Sequence, residues 1–437
     1  MPLPFDAMAR SRRIGADLQL LAASALTGAA GASFVLLSER ATGLDAFAPM
    51  AQLWTIWSIS AASLMFGFQQ WAIGLGIGRS VRFLTALRGG PLAVLVASTI
   101  GTGAVTFLAR SSLFHTTSLF WPLAAALVVL GTVLGGAVRG ILAAAQRHTL
   151  LALVIAADNV LRVSAGVVLV MLDATVEWYA VALLVGYLAL VVVRWSPRPD
   201  STLYSTGYST GYPSGYSTGP SAAVGPRNTT LGTAATAGFL SYIALAGPPL
   251  LIAFNHGSAE TVSTLFVVLT AIRLPHLLLQ AGAPRAGVVF QDWMDQGRHE
   301  HLARARLVIL GATIVTALIG FGAGALLGDL TIGTLFDIRG RVDALTYGLM
   351  AAAGVLSVGA SFATVLLVAQ GRNTFLVSRW LFVLALAVAI ALVTGVTELS
   401  EVAVGLLVCH LVILLALTVS LPVGVLRTTA RFQGLNG

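Results

Sequence analysis

Leu142-Ala-Ala-Ala-Gln-Arg-His-Thr149 lies between two long apolar runs, and so does Leu366-Leu-Val-Ala-Gln-Gly-Arg-Asn-Thr374. Aligned on Gln146 and Gln370, with Gly371 as one extra residue, Ala145 pairs with Ala369, Arg147 with Arg372 and Thr149 with Thr374. Each stretch reads as a short polar turn between two membrane-length helices. The chain then reads as one half followed by a diverged second half.

The apolar runs on either side support that division. At about 20 apolar residues per crossing, the sequence predicts an all-α, polytopic membrane protein with 12 transmembrane helices in two six-helix lobes. The predicted spans are 14–37, 46–68, 91–109, 120–144, 150–172 and 177–194, then 231–254, 259–281, 306–327, 345–368, 375–396 and 401–424. Between the sixth and seventh, the repeat Tyr204-Ser-Thr-Gly-Tyr-Ser-Thr-Gly-Tyr-Pro-Ser-Gly-Tyr216 has turn formers and no apolar face to bury, so 195–230 reads as a flexible cytoplasmic linker. The expected domains are thus 1–194, the linker 195–230, and 231–437. The duplicated turn joins helices 4 and 5 in one lobe and helices 10 and 11 in the other. An even helix count per half makes the repeats parallel, related by an axis near the membrane normal.

Composition agrees. Only 10% of residues are charged and mean hydropathy is +0.89, against about 25% charged in soluble domains. The net charge of +8 is carried by arginine, with no lysine, and its placement in the loops excludes nucleic acid as the partner it implies. Outside the spans, only Arg40, Arg110, Arg339 and Arg341 fall on the face opposite the N-terminus, whereas most of the acidic residues sit there. The arginine bias puts both termini in the cytoplasm. Arg12-Arg13 has the look of a twin-arginine export signal, but the run 14–37 is too long for one and reads as the first helix. The single Cys409 leaves no disulfide framework. His115, His256, His299 and His301 lack partners at metal spacing, so no metal and no cofactor is expected. Trp54 and Trp57, three apart on helix 2, read as packing residues, with a stacking site for sugar as the alternative.

Three arginines remain inside the spans: Arg139 in helix 4, Arg162 in helix 5 and Arg273 in helix 8, with Asp158 and Asn159 also in helix 5. Charges at membrane depth cost several kcal/mol and mark pathways or bundle interiors. Asp158 and Arg162 are four apart with the acid first, the favourable order for an ion pair. The pair either locks helix 5 or lines a pathway. Arg139 stands about two turns from the inner turn, within reach of headgroups by snorkelling. Pro248-Pro249 removes two backbone donors in helix 7 and must bend or break it. Pro275 frees a carbonyl beside Arg273. All three prolines are candidate hinges.

The twelve-helix plan, the polar turns after helices 4 and 10, Val133-Leu-Gly-Gly-Ala-Val-Arg139-Gly-Ile-Leu-Ala-Ala-Ala-Gln146 and Val289-Phe-Gln-Asp-Trp-Met-Asp-Gln-Gly297 together resemble the multidrug/oligosaccharidyl-lipid/polysaccharide exporters, in particular the O-antigen-type and lipid II-type flippases. The chain departs from them at Gln291, where a proline is common, and in its longer, repetitive linker. It lacks the additional helix pair of some lipid II flippases, which favours the O-antigen type. The resemblance implies a flippase that carries a polyisoprenyl-pyrophosphate-linked oligosaccharide across the inner (plasma) membrane by rocking two lobes. Its partners would be that lipid-linked oligosaccharide, the lipid bilayer and other membrane proteins of polysaccharide assembly. If Arg139, Arg162, Arg273 and Asp158 all face the cavity, its net charge is positive, which suits an anionic headgroup.

Other readings are a cation-coupled multidrug exporter of the same fold, a twelve-helix facilitator, a non-transporting scaffold, or a membrane-embedded polysaccharide polymerase or ligase. Against the facilitator, the loop Gly78-Arg79-Ser-Val-Arg82 lacks the expected Gly-x-x-x-Asp-Arg pattern. Against the enzyme, Asp329, Asp337 and Asp343 form no tight catalytic pair in the longest outer loop.

Overall fold

The computed structural model describes residues 22, 26–74, 87–145, 147–190, 236, 239–280 and 283–419; the 195–230 linker, Gln146 and both ends of the chain lie outside them. The described chain is helical, in two lobes of six. The first holds α1 (26–42), α2 (Leu44–Ser60, running through a π turn, Ala61–Met65, into Phe66–Gly74), α3 (Gly90–Leu108), α4 (Phe120–Ala144), α5 (His148–Met171) and α6 (Val176–Val185, closed by the tight turn Gly186–Leu188). The second holds α7 (239–246 and Pro248–Phe254), α8 (Ala259–Gln280), α9 (His299–Gly328, extended by a π turn, Asp329–Gly333), α10 (Ala344–Ala369), α11 (Asn373–Thr394) and α12 (Leu399–Val419), with a further 13-residue helix, Ala283–Asp295, between α8 and α9. Seven of these are long and apolar enough to cross a membrane.

The two halves distribute burial alike. In α4 and α10 56% of the apolar window is buried, while in α3 and α9 only 11% is. The fourth helix of each lobe is therefore its core and the third its lipid face, where Ile100, Leu108, Leu318 and Leu326 are exposed. Glycine lets α4 sit so deep. A Cβ at Gly136 or Gly140 would run into the α2 backbone at Met65 and Gln69, so the two helices meet main chain to main chain, as small residues allow in membranes.

The duplicated turns also share their geometry. Arg147 N–H donates to Leu142 O at 2.9 Å and Arg372 N–H to Leu367 O at 3.0 Å, the same six-to-one closure. Arg147 (φ −90°, ψ 58°) and Arg372 (φ −89°, ψ 43°) then start the next helices in nearly the same conformation. Counted from these bonds, the repeat runs without the insertion inferred from residue identity: Ala145 corresponds to Gln370 and Arg147 to Arg372. Gly371, with φ +69°, takes the position between them. The glutamine match slips by one residue because hydrogen-bond closure, not side-chain identity, sets register in a turn.

One interruption and one extension refine the predicted spans. Helix α7 breaks at Gly247, and Pro248 and Pro249 open its second piece, where their missing N–H groups cost nothing. Helix α8, by contrast, is continuous through Pro275. Helix α9 begins at His299, two turns before the predicted 306, because the charged residues His299 to Arg304 extend it beyond the apolar part.

The lobes meet through α2, α7 and α8. Phe47 of α2 packs on Phe266 of α8, with ring centroids 5.9 Å apart. Gln52 Nε2 donates to Pro249 O at 2.8 Å, and Ser263 Oγ donates to Leu44 O at 2.6 Å. Arg40 Nη2 donates to Thr334 O at 3.1 Å. All four contacts lie toward the end carrying the α1–α2 and α9–α10 connections.

Candidate functional site

Helices α4, α5 and α6 bring Arg139, Asp158 and Arg162 together. Arg139 Nη2 lies 3.2 Å from Asp158 Oδ2, and Arg162 Nη2 lies 2.7 Å from Asp158 Oδ1. The second contact is electrostatic, since neither atom meets hydrogen-bond geometry. Asp158 thus faces two guanidinium groups in a low-dielectric interior, and the cluster keeps one net positive charge. Arg162 is 2% exposed. Its Nε donates to Leu183 O at 3.0 Å, and its guanidinium lies 4.8 Å from the Trp57 ring and 5.4 Å from the Tyr187 ring. Aromatic faces on both rings add cation–π attraction, which grows once water is excluded. Arg139 is the accessible member, its side chain 18% exposed, and its Nε has no partner among the described residues.

The pocket is lined by Trp57, Met65, Gly135, Arg139, Asp158, Arg162, Gly186 and Tyr187, with about 10 Å³ of free space. That is room for one water at most. Two glycines make the assembly possible. A Cβ on Gly186 would overlap Asp158 and Arg162, and one on Gly131 would overlap the Tyr187 ring. Tyr187 is tied to α4 by a 2.7 Å bond with Thr132 and a 3.1 Å bond donated to Val128 O.

Asn159 is turned to α1. Its Nδ2 donates to Thr27 Oγ1 at 3.0 Å and to Ile155 O at 2.7 Å. Arg273 stands apart in the second lobe, 4% exposed. Its Nη2 donates to Leu245 O at 3.3 Å, in the turn just before the α7 break. Tyr242 is its hydrogen-bonding neighbour and packs with Ile59 of α2 across the lobe boundary. Arg273 Nε has no partner among the described residues. Arg273 therefore belongs to the interface between lobes, near the Pro248–Pro249 break, and the other three charges to the first lobe.

Sequence reading missed Trp57, Gly186, Tyr187 and Tyr242. Trp57 shares a helix with Trp54 and passed for packing, as Trp54 indeed is, stacked on Phe34 at 5.4 Å. Tyr187 and Tyr242 carried a signal, a polar hydroxyl inside an apolar run. Gly186 carried none. His410, 0% exposed in α12 with Nδ1 bonded to Leu406 O at 2.8 Å, also went unnoticed. Among the described residues no group of His, Cys, Asp or Glu could hold a metal ion.

This twelve-helix arrangement shares its fold with several solved membrane proteins. The chain is similar in structure to an inward-facing multidrug resistance MATE family transporter of the MOP superfamily (TM-score 0.61, 15% identity, 96% of each chain). It is also similar to a eukaryotic MATE transporter (TM-score 0.60, 12% identity, 94% of this chain and 95% of that one). A third is a MOP superfamily transporter from Pyrococcus furiosus whose binding pocket is described as of reverse polarity, suggesting a different function (TM-score 0.57, 14% identity, 95% and 96%). No protein-family description and no curated protein sequence matches the chain.

Proposed function

We propose that the protein is a membrane transporter working by alternating access, and that its cargo is a polyisoprenyl-pyrophosphate-linked oligosaccharide flipped outward across the plasma membrane. The observation that carries this reading is charge: Arg162, Arg273 and Asp158 lie buried and Arg139 partly buried within the apolar helices. Asp158 is already held by Arg139 and Arg162, which leaves no free acid in that pocket for a cationic drug. Arg139, with its unpartnered Nε, and Arg273, beside the α7 break, are the groups for an anionic headgroup, with Arg162 held in place by Asp158. Planar guanidinium forks match phosphate oxygens in a way an ammonium cannot. The arginine bias of the loops supports cytoplasmic termini, and Pro248, Pro249 and Pro275 are the candidate hinges of the lobe movement.

The test is flipping in proteoliposomes loaded with polyisoprenyl-pyrophosphate-linked oligosaccharide, run beside efflux of a cationic dye. The proposal expects lipid-linked sugar to cross and the dye not to. Dye transport without sugar transport would make the protein a multidrug exporter of the same fold.

A further inference from the structure

On the face that carries the duplicated turns, the second lobe holds two arginines that no acid answers. Arg306 stands half-buried near the start of α9, directly before Leu307 and Val308, which are 71% and 59% exposed. Its Nη1 donates to Thr418 O, at the end of α12, at 3.4 Å. Its Nε is buried and has no hydrogen-bond partner among the described residues. The charged group acting on Arg306 is Arg372 of the second duplicated turn, which has the same sign. Neither arginine forms an ion pair among the described residues. Asp292 and Glu300, acids of the adjoining segment, are exposed to water. On either side of Arg372, Gln370 Oε1 and Asn373 Oδ1 are buried acceptors without a donor among the described residues.

Like charges held together away from bulk water repel, and the chain supplies nothing here to relieve them. An anion would, and planar guanidiniums take phosphate oxygens in a fork. The orphaned amide oxygens of Gln370 and Asn373 call for hydroxyl donors. Apolar surface borders the same spot, with Leu307 and Val308 on α9 and Val419, 67% exposed, on α12. We propose that Arg306 and Arg372 bind the headgroup of an anionic phospholipid of the phosphatidylglycerol type, from the leaflet on the side of the duplicated turns. The phosphodiester sits between the two guanidiniums, and the glycerol hydroxyls donate to Gln370 Oε1 and Asn373 Oδ1. The acyl chains then follow the exposed leucine and valines of α9 and α12. Basic pockets between spanning helices are where such headgroups lodge.

The first lobe has no counterpart of Arg306 in its third helix. Helix α3 starts at Gly90-Pro91-Leu92 and carries no arginine along its length. Helix α9 instead begins at His299, and this charged start is what stands Arg306 beside the turn. The lipid would therefore tie α9, α11 and α12 together at one end of one lobe. It lies apart from Arg139, Asp158 and Arg162 in the first lobe and from Arg273 at the seam, so the inference holds whatever the cargo.

The experiment is native mass spectrometry of the full chain in detergent, titrated with phosphatidylglycerol or with phosphatidylcholine. The expected result is that phosphatidylglycerol is retained and phosphatidylcholine is not. Arg306→Gln and Arg372→Gln should each weaken that retention by roughly ten- to over a hundredfold, the worth of one charge-assisted contact. Arg304→Gln removes an exposed charge from the same turn of α9 and should keep the wild-type affinity. Equal retention of the two lipids overturns the proposal, and so does wild-type affinity in Arg306→Gln and Arg372→Gln. Equal weakening by all three variants also overturns it, since net charge alone would then be at work. Displacement of the lipid by an equal concentration of glycerol 3-phosphate would make the ligand a soluble phosphate ester and overturn it too. The two-lipid comparison on wild type, with Arg372→Gln, decides even if Arg306→Gln fails to fold.

Discussion

Gly186 packs directly against Asp158: a Cβ on the glycine would clash with the carboxylate oxygen. The salt-bridge cluster of the first lobe therefore depends on a residue that carries no chemistry. Substitution Gly186→Ala must push α6 outward or rotate Asp158 away from Arg162. Overpacking of this kind costs about 1–3 kcal/mol. A fall of several degrees in the melting temperature of the purified protein is the expected outcome, with cargo binding weakened even where the protein still folds.

Asp158→Asn should be more severe than removing the whole cluster. It leaves Arg139 and Arg162 buried without a counter-charge, and stranding one member of a buried pair costs about 3–5 kcal/mol. The triple change Arg139→Met, Asp158→Leu, Arg162→Met should recover most of the lost folded protein in detergent extracts while abolishing cargo binding. If Asp158→Asn folds normally, the pair tunes Arg162 without supporting the lobe.

Arg273→Ala should weaken binding of the lipid-linked pyrophosphate by roughly ten- to over a hundredfold, the worth of one charge-assisted contact. Arg273→Lys should restore it only in part, because the ammonium lacks the fork that meets Leu245 O and an oxyanion together. Titration of purified protein with the lipid-linked sugar checks both. Wild-type affinity in Arg273→Ala would remove Arg273 from the site.

Gln52→Leu removes the 2.8 Å bond to Pro249 O between the lobes. One neutral hydrogen bond is worth about 1 kcal/mol, which shifts a two-state equilibrium about fivefold. The distance between nitroxide labels on Ser111→Cys and Ala344→Cys, in a Cys409→Ala background in lipid nanodiscs, should show a larger fraction of protein with the lobes parted at that end.

At the start of α10, Asp343 accepts from Thr346 N at 2.9 Å and from Thr346 Oγ1 at 2.6 Å. The Thr346 hydroxyl and backbone hold its carboxyl below the ordinary value of 3.8. A depressed acid stabilises the fold above its unfolded pKa and loses that contribution as pH falls through the folded one. Asp343→Ala should lower stability by about 0.5–2 kcal/mol at neutral pH. The difference from wild type in thermal melting should shrink below pH 4.

Much of this was legible from periodicity alone. Apolar runs long enough to cross a bilayer located the helices, and the repeated turn located the seam between halves. The Asp158–Arg162 pair followed from its spacing of four, since helical geometry puts such residues on one face. What could not be read was where separate helices meet. Arg139 of α4 meets Asp158 of α5 across two helices, at 3.2 Å. Arg162 lies over Trp57 only because Gly186 leaves room for it. Glu39 reads as an ordinary loop acid, yet it shares one cleft with Asp337 and Arg341, some 300 positions later in the chain. Pair spacing along one helix is written in the sequence; contacts between helices depend on packing.

The π turn Ala61–Met65 gives α2 two allegiances. One extra residue in a helix rotates everything beyond it by roughly 100°. Before the turn, Phe47 and Gln52 face the other lobe; after it, Phe68 and Gln69 face α4 of their own. The helix is thus a crankshaft, with one throw engaged across the seam and the other fixed to its own block. Deleting a single residue there, for instance Ser63, would straighten the crank. The second half of α2 would swing off the α4 glycines while the contacts of Phe47 and Gln52 with the other lobe stayed in place, uncoupling the arginine pocket from the lobe seam without altering a residue in either.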